Sequence, residues 1–391
     1  MRLGICGILS NMRSGKAKSV DIVLLTAVIF YVAFSFITDN SQMIQEWGFL
    51  YGWPWKLYLV SIAIIRAFAI FSVINEKDRK RQILFGILVV LGFIAGGYAW
   101  NLIFLMIAMA DRSMKLWLTT ALGTGLTMFG YTIICSIMGW VSMYGQDGRF
   151  FAFGMVNRTN FAFAVLFFII TVSVIRQGRF RYYEYVILYI ITIATYYHVY
   201  AKNAAACTLL FITMCLFGQL YDCLPLPAKK GLGSFFSALQ KFFFDYSFIL
   251  AGIVFWTAVH FRWVFREIQK TYDGIGSFAY RLDMGYEMLQ KPVTLFGQTL
   301  HEYGGLVDKE YFVVDAFFAR VPVTSGIIYF IVIMAILTYF MIKARRLNAR
   351  TIYFAFMVMA LFSISDTSHI DISYNFLIAL PFATWDIGRD G

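Results

Sequence analysis

The stretch that decides the fold is LYGWPWKLYLVSIAIIRAFAIFSVINEKDRKR, residues 50–81. Residues 50–74 are predominantly apolar, and one helix needs about 20 such residues to cross a membrane. The basic cluster KDRKR follows at residues 77–81. Because clusters of this kind collect on the cytoplasmic side of membranes, the stretch predicts a transmembrane helix that ends in the cytoplasm.

The composition of the whole chain extends this prediction. Of 391 residues, 60% are hydrophobic and 14% are charged, whereas a soluble domain carries about a quarter charged residues. We therefore expect a polytopic membrane protein in contact with the lipid bilayer. The net charge of +11 does not indicate a nucleic-acid partner, because the basic residues stand in short clusters at the ends of apolar runs.

Further apolar runs divide the chain into spans. Residues 83–110 are too long for one ordinary span, and the basic residues on both sides of them are expected in the cytoplasm. We therefore predict two short or re-entrant helices here, with a turn near Gly96, Gly97 and Asn101. The other predicted spans are residues 21–38, 50–74, 116–140, 161–175, 183–200, 207–221, 243–260, 323–342, 351–364 and 374–385.

The predicted fold class is all-α, with about twelve transmembrane helices in one transmembrane domain of residues 1–391. An even number of crossings places every basic cluster on one side and both termini in the cytoplasm. The N-terminal tail lacks an obvious small-residue cleavage site and is expected to be retained. The longest polar interval, residues 261–322 between the ninth and tenth spans, then forms a large extracytoplasmic loop.

Short amphipathic helices are expected in this loop. Ser277 can cap a helix over residues 278–290, in which apolar side chains recur at spacings of three and four. Such a helix would lie at the membrane interface, with Arg281 near its apolar boundary. Residues 308–318 form a second aromatic-rich segment.

Several basic residues fall on the outer side, where positive charge is rare. Arg262, Arg266 and Lys270 stand near acidic residues and are expected to pair with them. The others have few acidic neighbours in the sequence, and a cation without a partner near a membrane boundary indicates a functional site. Arginine binds phosphate through paired N–H groups, so we predict an outer pocket for phosphate or pyrophosphate. The residues assigned to this pocket are Arg149, Arg158, Lys202, Arg281 and Arg320.

Proton acceptors are also available on the outer side. A sugar hydroxyl that attacks an anomeric carbon needs a general base, and a carboxylate or an imidazole can serve. Basic side chains can stabilise a departing pyrophosphate without a metal ion, and we expect neither a cofactor nor a metal site. The available acceptors are His301, Glu302, Asp308, Asp315, Asp366, His369 and Asp371.

Four stretches resemble motifs of the bacterial O-antigen and exopolysaccharide repeat-unit polymerases. They are RFFAFGMVNRTNFAFAV (149–165), AKNAAA (201–206), SFAYRLDMGYEMLQKPVTLFGQ (277–298) and VDKEYFVVDAFFARVPVTSGI (307–327). Together with the hydropathy profile, the resemblance covers most of the chain. The sequence departs from the motifs at Lys202, where an arginine is usual, and at Lys309, where an asparagine is usual.

The resemblance implies a membrane glycosyltransferase of the bacterial cytoplasmic membrane with an outward-facing active site. Its substrate would be an oligosaccharide linked to undecaprenyl pyrophosphate, and it would transfer the growing glycan to the non-reducing end of a lipid-linked repeat unit. In this interpretation the outer cations bind the pyrophosphate and His301 or Asp308 acts on the acceptor hydroxyl. Asn157 and Asn160 bind sugar hydroxyls, although asparagines at a helix start are as often caps. A flippase and a chain-length regulator of the same pathway are the expected partners.

Two other functions remain open at this point. An O-antigen-ligase-like transferase would use the same donor and move finished polysaccharide to another acceptor. A flippase or transporter of lipid-linked oligosaccharide would carry polar residues inside its spans near the membrane midplane. Ionisable residues in the predicted spans are few, and Arg66 and Glu184 among them are expected near the cytoplasmic ends.

Overall fold

The computed structural model describes residues 19–48, 52–95, 99–145, 150–223, 243–271, 276–299 and 314–386. Within these ranges the chain is built from helices, and the only β-structure consists of three isolated bridges. The predicted all-α class is therefore confirmed.

The helices are numbered here in chain order. They are α1 Ser19–Ser35, α2 Met43–Glu46, α3 Trp53–Asn75, α4 Arg79–Ala95, α5 Trp100–Ala108, α6 Met114–Ile137, α7 Arg158–Ile175, α8 Tyr182–Val199, α9 Lys202–Asp222, α10 Ser247–His260, α11 Arg262–Thr271, α12 Gly276–Leu289, α13 Phe317–Thr324, α14 Ile327–Arg346 and α15 Arg350–Phe362. A π-helix, Phe36–Asn40, extends α1, and 3-10 helices occupy Ser368–Ile370 and Phe376–Ala379.

Six of the described helices are long and apolar enough to cross a membrane, namely α1 with its extension, α3, α6, α7, α9 and α14. A seventh span results if α10 and α11, which meet at a bend of 72°, are taken together. The sequence predicted about twelve spans, and fewer of the described helices have the length and apolar character that a span needs. The helices α4, α5 and α15 are short, and α8 is rich in tyrosine and carries Glu184 and His198.

The helices α4 and α5 form the hairpin expected for residues 83–110. Arg81 in the first turn of α4 donates hydrogen bonds of 2.9 Å to both carboxylate oxygens of Asp111, which lies just beyond α5. The two ends of the hairpin therefore meet. With 9 residues, α5 is only about 14 Å long, roughly half the thickness of a hydrocarbon core. The geometry is that of a re-entrant pair.

Arg66 of α3 binds the turn of this hairpin. Its Nε and Nη2 atoms donate to Oδ1 of Asn101, at 3.3 and 2.9 Å, and its guanidinium lies over the rings of Phe104 and Phe93. Asn101 is at the opposite end of the hairpin from Arg81. Arg66 stands near the middle of α3, and its place relative to the cytoplasmic side stays a prediction.

Ion pairs join the basic clusters at one end of the helix bundle. The pairs are Arg81–Asp111, Arg112–Asp21, Arg176–Glu184, Arg345–Asp245 and Arg350–Asp222. We call this the basic end. The other end, called the opposite end below, contains Asn40, Lys202 and Asp366. Charge in the described chain is thus distributed as the positive-inside pattern predicts.

The C-terminal segment, residues 363–386, returns between these ends without an α-helix. It begins near Ser365 at the opposite end and reaches the basic end at Thr384, whose backbone N–H donates to the carbonyl of Arg112. The helix predicted over residues 374–385 is therefore wrong, because Pro381 would interrupt it and Asn375 donates its side-chain amide to the carbonyl of His369 instead.

Protein surrounds this segment on its way through the bundle. Leu377, Ile378, Ala379 and Leu380 have no exposed surface. Non-helical backbone is tolerated at membrane depth only where protein, not lipid, covers it. The burial explains how this segment can cross the bundle as an irregular chain.

The described parts of the interval 261–322 contain α11, α12 and the start of α13. The helix predicted over residues 278–290 is present as α12, but its apolar face packs on protein: Leu282 is fully buried and Gly285 faces the ring of Phe255. After α12, backbone hydrogen bonds join residues 294–298 to the start of α14 and the residues before it. Gly297 in the first segment and Gly326 in the second have φ angles of +95° and +91°. A Cβ atom on either glycine would collide with backbone of the other segment, so both positions require glycine.

Replacing Asn101 with leucine should destabilise the protein by about 1–3 kcal/mol, because the guanidinium of Arg66 then loses its amide acceptor in an apolar environment. Thermal unfolding in one detergent measures this. Asn75→Leu, at the exposed end of α3, is the matched control and should change the melting temperature little. Equal effects of both substitutions would contradict a specific role of Asn101.

Candidate functional site

The opposite end holds a stack of two aromatic rings with a predicted cation on each side. Phe150 and Tyr200 lie parallel with ring centroids 5.5 Å apart. The guanidinium of Arg158 is 4.1 Å from the centroid of Phe150, and the ammonium of Lys202 is 5.3 Å from that of Tyr200. Tyr200 has a left-handed backbone, which ends α8 and turns the chain at once into α9. Two segments far apart in sequence thus place Arg158 and Lys202 on one stack.

The start of α9 is joined to the C-terminal segment. Asn203, next to Lys202, donates its side-chain amide to the hydroxyl of Ser365. The N-terminus of a helix carries partial positive charge, so the ammonium of Lys202 adds to a positive potential at this point. The contact also brings Asp366, the residue after Ser365, to the same region.

Asp366 is almost fully buried, with 5% of its surface exposed. Its carboxylate accepts hydrogen bonds from the backbone N–H and the hydroxyl of Ser368, at 2.8 and 2.6 Å. Burial and then the negative charge of Asp315 raise the pKa of Asp366 to about 6, while Arg281 acts in the other direction. A carboxyl group with such a pKa can accept and release a proton near neutral pH.

Arg281 of α12 reaches this pair of carboxylates. Its Nη2 atom is 3.3 Å from Oδ2 of Asp315, whose side chain is about one-third exposed. The prediction that Arg281 has no acidic partner is therefore wrong, because the partner lies 34 positions along the chain. Arg320 of α13 donates a hydrogen bond to the backbone carbonyl of Val314, the residue before Asp315.

Arg262, Arg266 and Lys270 all have acidic partners. Arg262 and Arg266 both bind Asp283, at 3.7 and 2.8 Å, and Lys270 binds Glu267 at 2.6 Å. The two contacts to Asp283 hold α11 against α12, whereas the Lys270–Glu267 pair lies within α11. The expected local ion pair is confirmed for Lys270, whereas Arg262 and Arg266 pair with Asp283 on the next helix.

The two predicted glycan-binding asparagines have different surroundings. Asn160 donates to Asn40 at 2.9 Å, and Asn40 donates in turn to Ser373 and Asp371, at 2.8 and 3.3 Å. This network ties α7 and α1 to the C-terminal segment, so one N–H of Asn160 is used within the protein. Asn157 is exposed at the N-cap position of α7.

Some predicted site residues lie outside the described residues. They are Arg149 and the two assigned bases, His301 and Asp308. The structure instead adds Asn40 and Asn203, which the sequence did not single out because single asparagines at helix ends carry no pattern. Within the described ranges, no three His, Cys, Asp or Glu side chains are grouped so that they could hold a metal ion.

An apolar groove of about 860 Å³ runs between α10 and α14. Ile253 and Ile331 on its walls are exposed, and Trp256 donates its indole N–H to the carbonyl of Phe318 at its inner wall. Phe318 is two residues from Arg320. The groove extends along α10 and α14 from Phe318 to Lys343 and Arg346 at the basic end.

Comparison with protein-family models, with curated proteins and with solved structures finds no match to this chain. What the opposite end does must therefore be inferred from its own residues and geometry.

Asp366→Asn should change how stability depends on pH. Because the pKa of the folded state is raised above the ordinary value of 3.8, Asp366 contributes stability below about pH 4 that is lost as the pH rises through about 6. The shift corresponds to on the order of 2–3 kcal/mol. Thermal unfolding at pH 4.5 and pH 7.5 should show the wild type losing stability relative to the variant at the higher pH. Parallel curves for the two proteins would contradict the raised pKa.

Proposed function

We propose that the protein is a membrane glycosyltransferase that polymerises lipid-linked oligosaccharide repeat units. It transfers a growing glycan from undecaprenyl pyrophosphate to the non-reducing end of a second lipid-linked unit, as the resemblance to the repeat-unit polymerases implies. It acts at the opposite end of the bundle, which faces outward from the bacterial cytoplasmic membrane. The basic end then lies in the cytoplasm, in agreement with the positive-inside rule.

One observation carries this proposal: a continuous set of contacts links cations with a pair of carboxylates at the opposite end. Arg158 and Lys202 flank one aromatic stack, and Asn203 joins Lys202 to the segment of Asp366. Asp366 is within electrostatic range of Asp315, which binds Arg281. Cations suit a pyrophosphate leaving group, and carboxylates suit a hydroxyl nucleophile.

The reaction forms one bond and breaks one. The hydroxyl oxygen of the acceptor sugar attacks the anomeric carbon of the donor glycan, and the bond from that carbon to the pyrophosphate oxygen breaks. The electron pair of that bond stays on the pyrophosphate, where Lys202, Arg281 and the neighbouring cations stabilise the negative charge. A carboxylate accepts the proton of the attacking hydroxyl. This proposed mechanism uses no cofactor or metal ion.

The proton acceptor in this mechanism is the Asp315–Asp366 pair. Asp315 is exposed enough to meet a substrate, and Asp366 behind it has a pKa suited to holding a proton near neutral pH. His301 and Asp308 remain the alternative bases, and the pH experiment below separates the two assignments.

The groove between α10 and α14 supports a substrate that arrives through the lipid. A polyprenyl chain is apolar and branched, and a groove lined by aliphatic and aromatic side chains matches it. The lipid chain can remain in the bilayer while its pyrophosphate reaches the cations. A flippase that delivers the lipid-linked unit and a regulator of chain length are the partners expected in such a pathway.

Arg281→Ala and Lys202→Ala should each lower polymer formation by about 100-fold or more, because each removes a positive charge that stabilises the leaving group. The assay reconstitutes the protein in nanodiscs with undecaprenyl-pyrophosphate-linked repeat units and resolves the products on a gel. Arg262→Ala is the matched control, since its partner Asp283 is not one of the two carboxylates of the proposed site, and this variant should leave the yield nearly unchanged.

The same gel separates the candidate functions. A ladder of chain lengths from repeat units alone indicates a polymerase. A ligase would give no ladder and would instead modify an added acceptor, and a transporter would move the glycolipid without forming a bond. Polymer of normal length and yield from both alanine variants would rule out the assigned pocket.

Asp366→Asn should abolish the acid limb of the activity profile, which the wild type should show near pH 6. The amide can still accept the hydrogen bonds from Ser368, so the fold is kept while the titrating group is lost. Asp386→Asn is the control, because Asp386 accepts comparable bonds from Ser113 and Lys115 at the basic end. If the limb persists in Asp366→Asn and disappears in His301→Ala or Asp308→Ala, the base is one of the latter.

A further inference from the structure

A second cavity of about 450 Å³ lies at the opposite end, between α1, α3, α5 and α14. Its polar lining includes Ser35, Thr38 and Asp371, and its aromatic lining includes Trp55 and Tyr329. The volume falls in the range of roughly 300–1,000 Å³ that is common for small-ligand sites. The loop of Asp371 also carries Asp366, so the cavity adjoins the proposed reaction site without being part of it.

Tyr329 is unusual among the residues that line the cavity. Only 1% of its surface is exposed, and its hydroxyl group has no hydrogen-bond partner in the part of the chain that the structure describes. Buried polar groups are almost always hydrogen-bonded, so an exception calls for an explanation. A ligand with hydroxyl groups in the cavity would supply the partner.

The remaining lining favours a neutral, hydroxyl-bearing ligand over a cation. The rings of Tyr31 and Tyr58 are parallel, with centroids 5.4 Å apart, and Trp55 lies tilted against Tyr58 at 5.3 Å. An aromatic cage for an ammonium group needs several ring faces turned towards one point, whereas here two of the rings cover each other.

Asp371 provides a fixed acceptor at the wall of the cavity. Its carboxylate is held by the backbone N–H of Ser373 and by the side-chain amide of Asn40, at 2.8 and 3.3 Å. The side chain of Tyr374 is a further donor to this carboxylate, which has about four acceptor sites in all. A sugar ring has apolar C–H faces and several hydroxyl donors, which match indole and phenol rings beside one oriented carboxylate.

We propose that this cavity binds one sugar residue of the lipid-linked repeat unit, with hydroxyl groups bound to Asp371 and Tyr329 and an apolar face on Trp55. The inference deepens the proposed function and rests on it for the identity of the substrate class. In this arrangement the bound sugar fixes the position of the glycan relative to Asp366, five residues earlier in the same loop.

The test is a binding measurement on the full-length protein in nanodiscs free of sugar-based detergent, since glucosides and maltosides would compete. The probes are the methyl glycosides of glucose, galactose, rhamnose and N-acetylglucosamine, with choline and ethanolamine for comparison. Binding is followed by saturation-transfer NMR. At least one methyl glycoside should bind saturably to the wild type.

Two variants remove one group each from the cavity. Tyr329→Phe deletes only a hydroxyl and should weaken glycoside binding about five-fold, the effect of one hydrogen bond. Asp371→Asn removes the charged acceptor and should weaken it by about ten-fold or more. Tyr339→Phe, an exposed tyrosine of the same helix, should bind as the wild type does. Thermal unfolding checks that Tyr329→Phe is at least as stable as the wild type.

The outcomes distinguish this inference from the proposed function. Glycoside binding that weakens in Tyr329→Phe and Asp371→Asn supports the sugar site even if repeat units give no polymer. Polymer formation without saturable glycoside binding, or with equal binding by all variants, overturns the sugar site and leaves the polymerase standing. Saturable binding of choline or ethanolamine alone also overturns it, in favour of a cation site.

Discussion

The structure depends on the requirement that a chain crossing lipid without an α-helix be enclosed by protein. The C-terminal segment, residues 363–386, crosses between the two ends of the bundle in irregular and 3-10 conformation, and its middle has no exposed surface. In hydrocarbon, each backbone group left without a hydrogen bond is costly, so helices must surround such a segment. The central position of this segment follows from that constraint.

The polar groups at the opposite end are arranged around the start of the same segment. Ser365 binds Asn203, Asp366 is within electrostatic range of Asp315, and Asp371 binds Asn40. An irregular backbone carries short polar side chains that a transmembrane helix would not tolerate, because local turns satisfy them: Ser368 binds Asp366 and Ser373 binds Asp371. The absence of a helix is therefore what makes a polar site possible within an otherwise apolar bundle.

Basic side chains have different kinds of partner at the basic end and at the opposite end. At the basic end, cations are neutralised by partners such as Asp245 and Asp222. At the opposite end, Arg281 binds Asp315, and Arg158 and Lys202 lie over aromatic rings, which attract cations. Arg66 is a third case, since an amide and two rings bind it beside the turn of the re-entrant hairpin.

The sequence by itself determined the features that depend on local composition. Apolar runs and basic clusters predicted a helical membrane protein, the hairpin of residues 83–110 and the helix near residues 278–290, and the neighbouring Glu267 predicted the local pair of Lys270. Hydropathy and charge are properties of neighbouring residues, so a sequence pattern records them directly.

Only the tertiary structure decided which distant residues meet. Arg281 and Asp315, Arg66 and Asn101, or Asp371 and Asn40 come together through the packing of whole helices, and no spacing in the sequence encodes those contacts. The apolar run of residues 374–385 suggested a helix because hydropathy measures burial and not backbone conformation. Its true course was set by Pro381, by the side chains that bind local backbone and by the helices that enclose it.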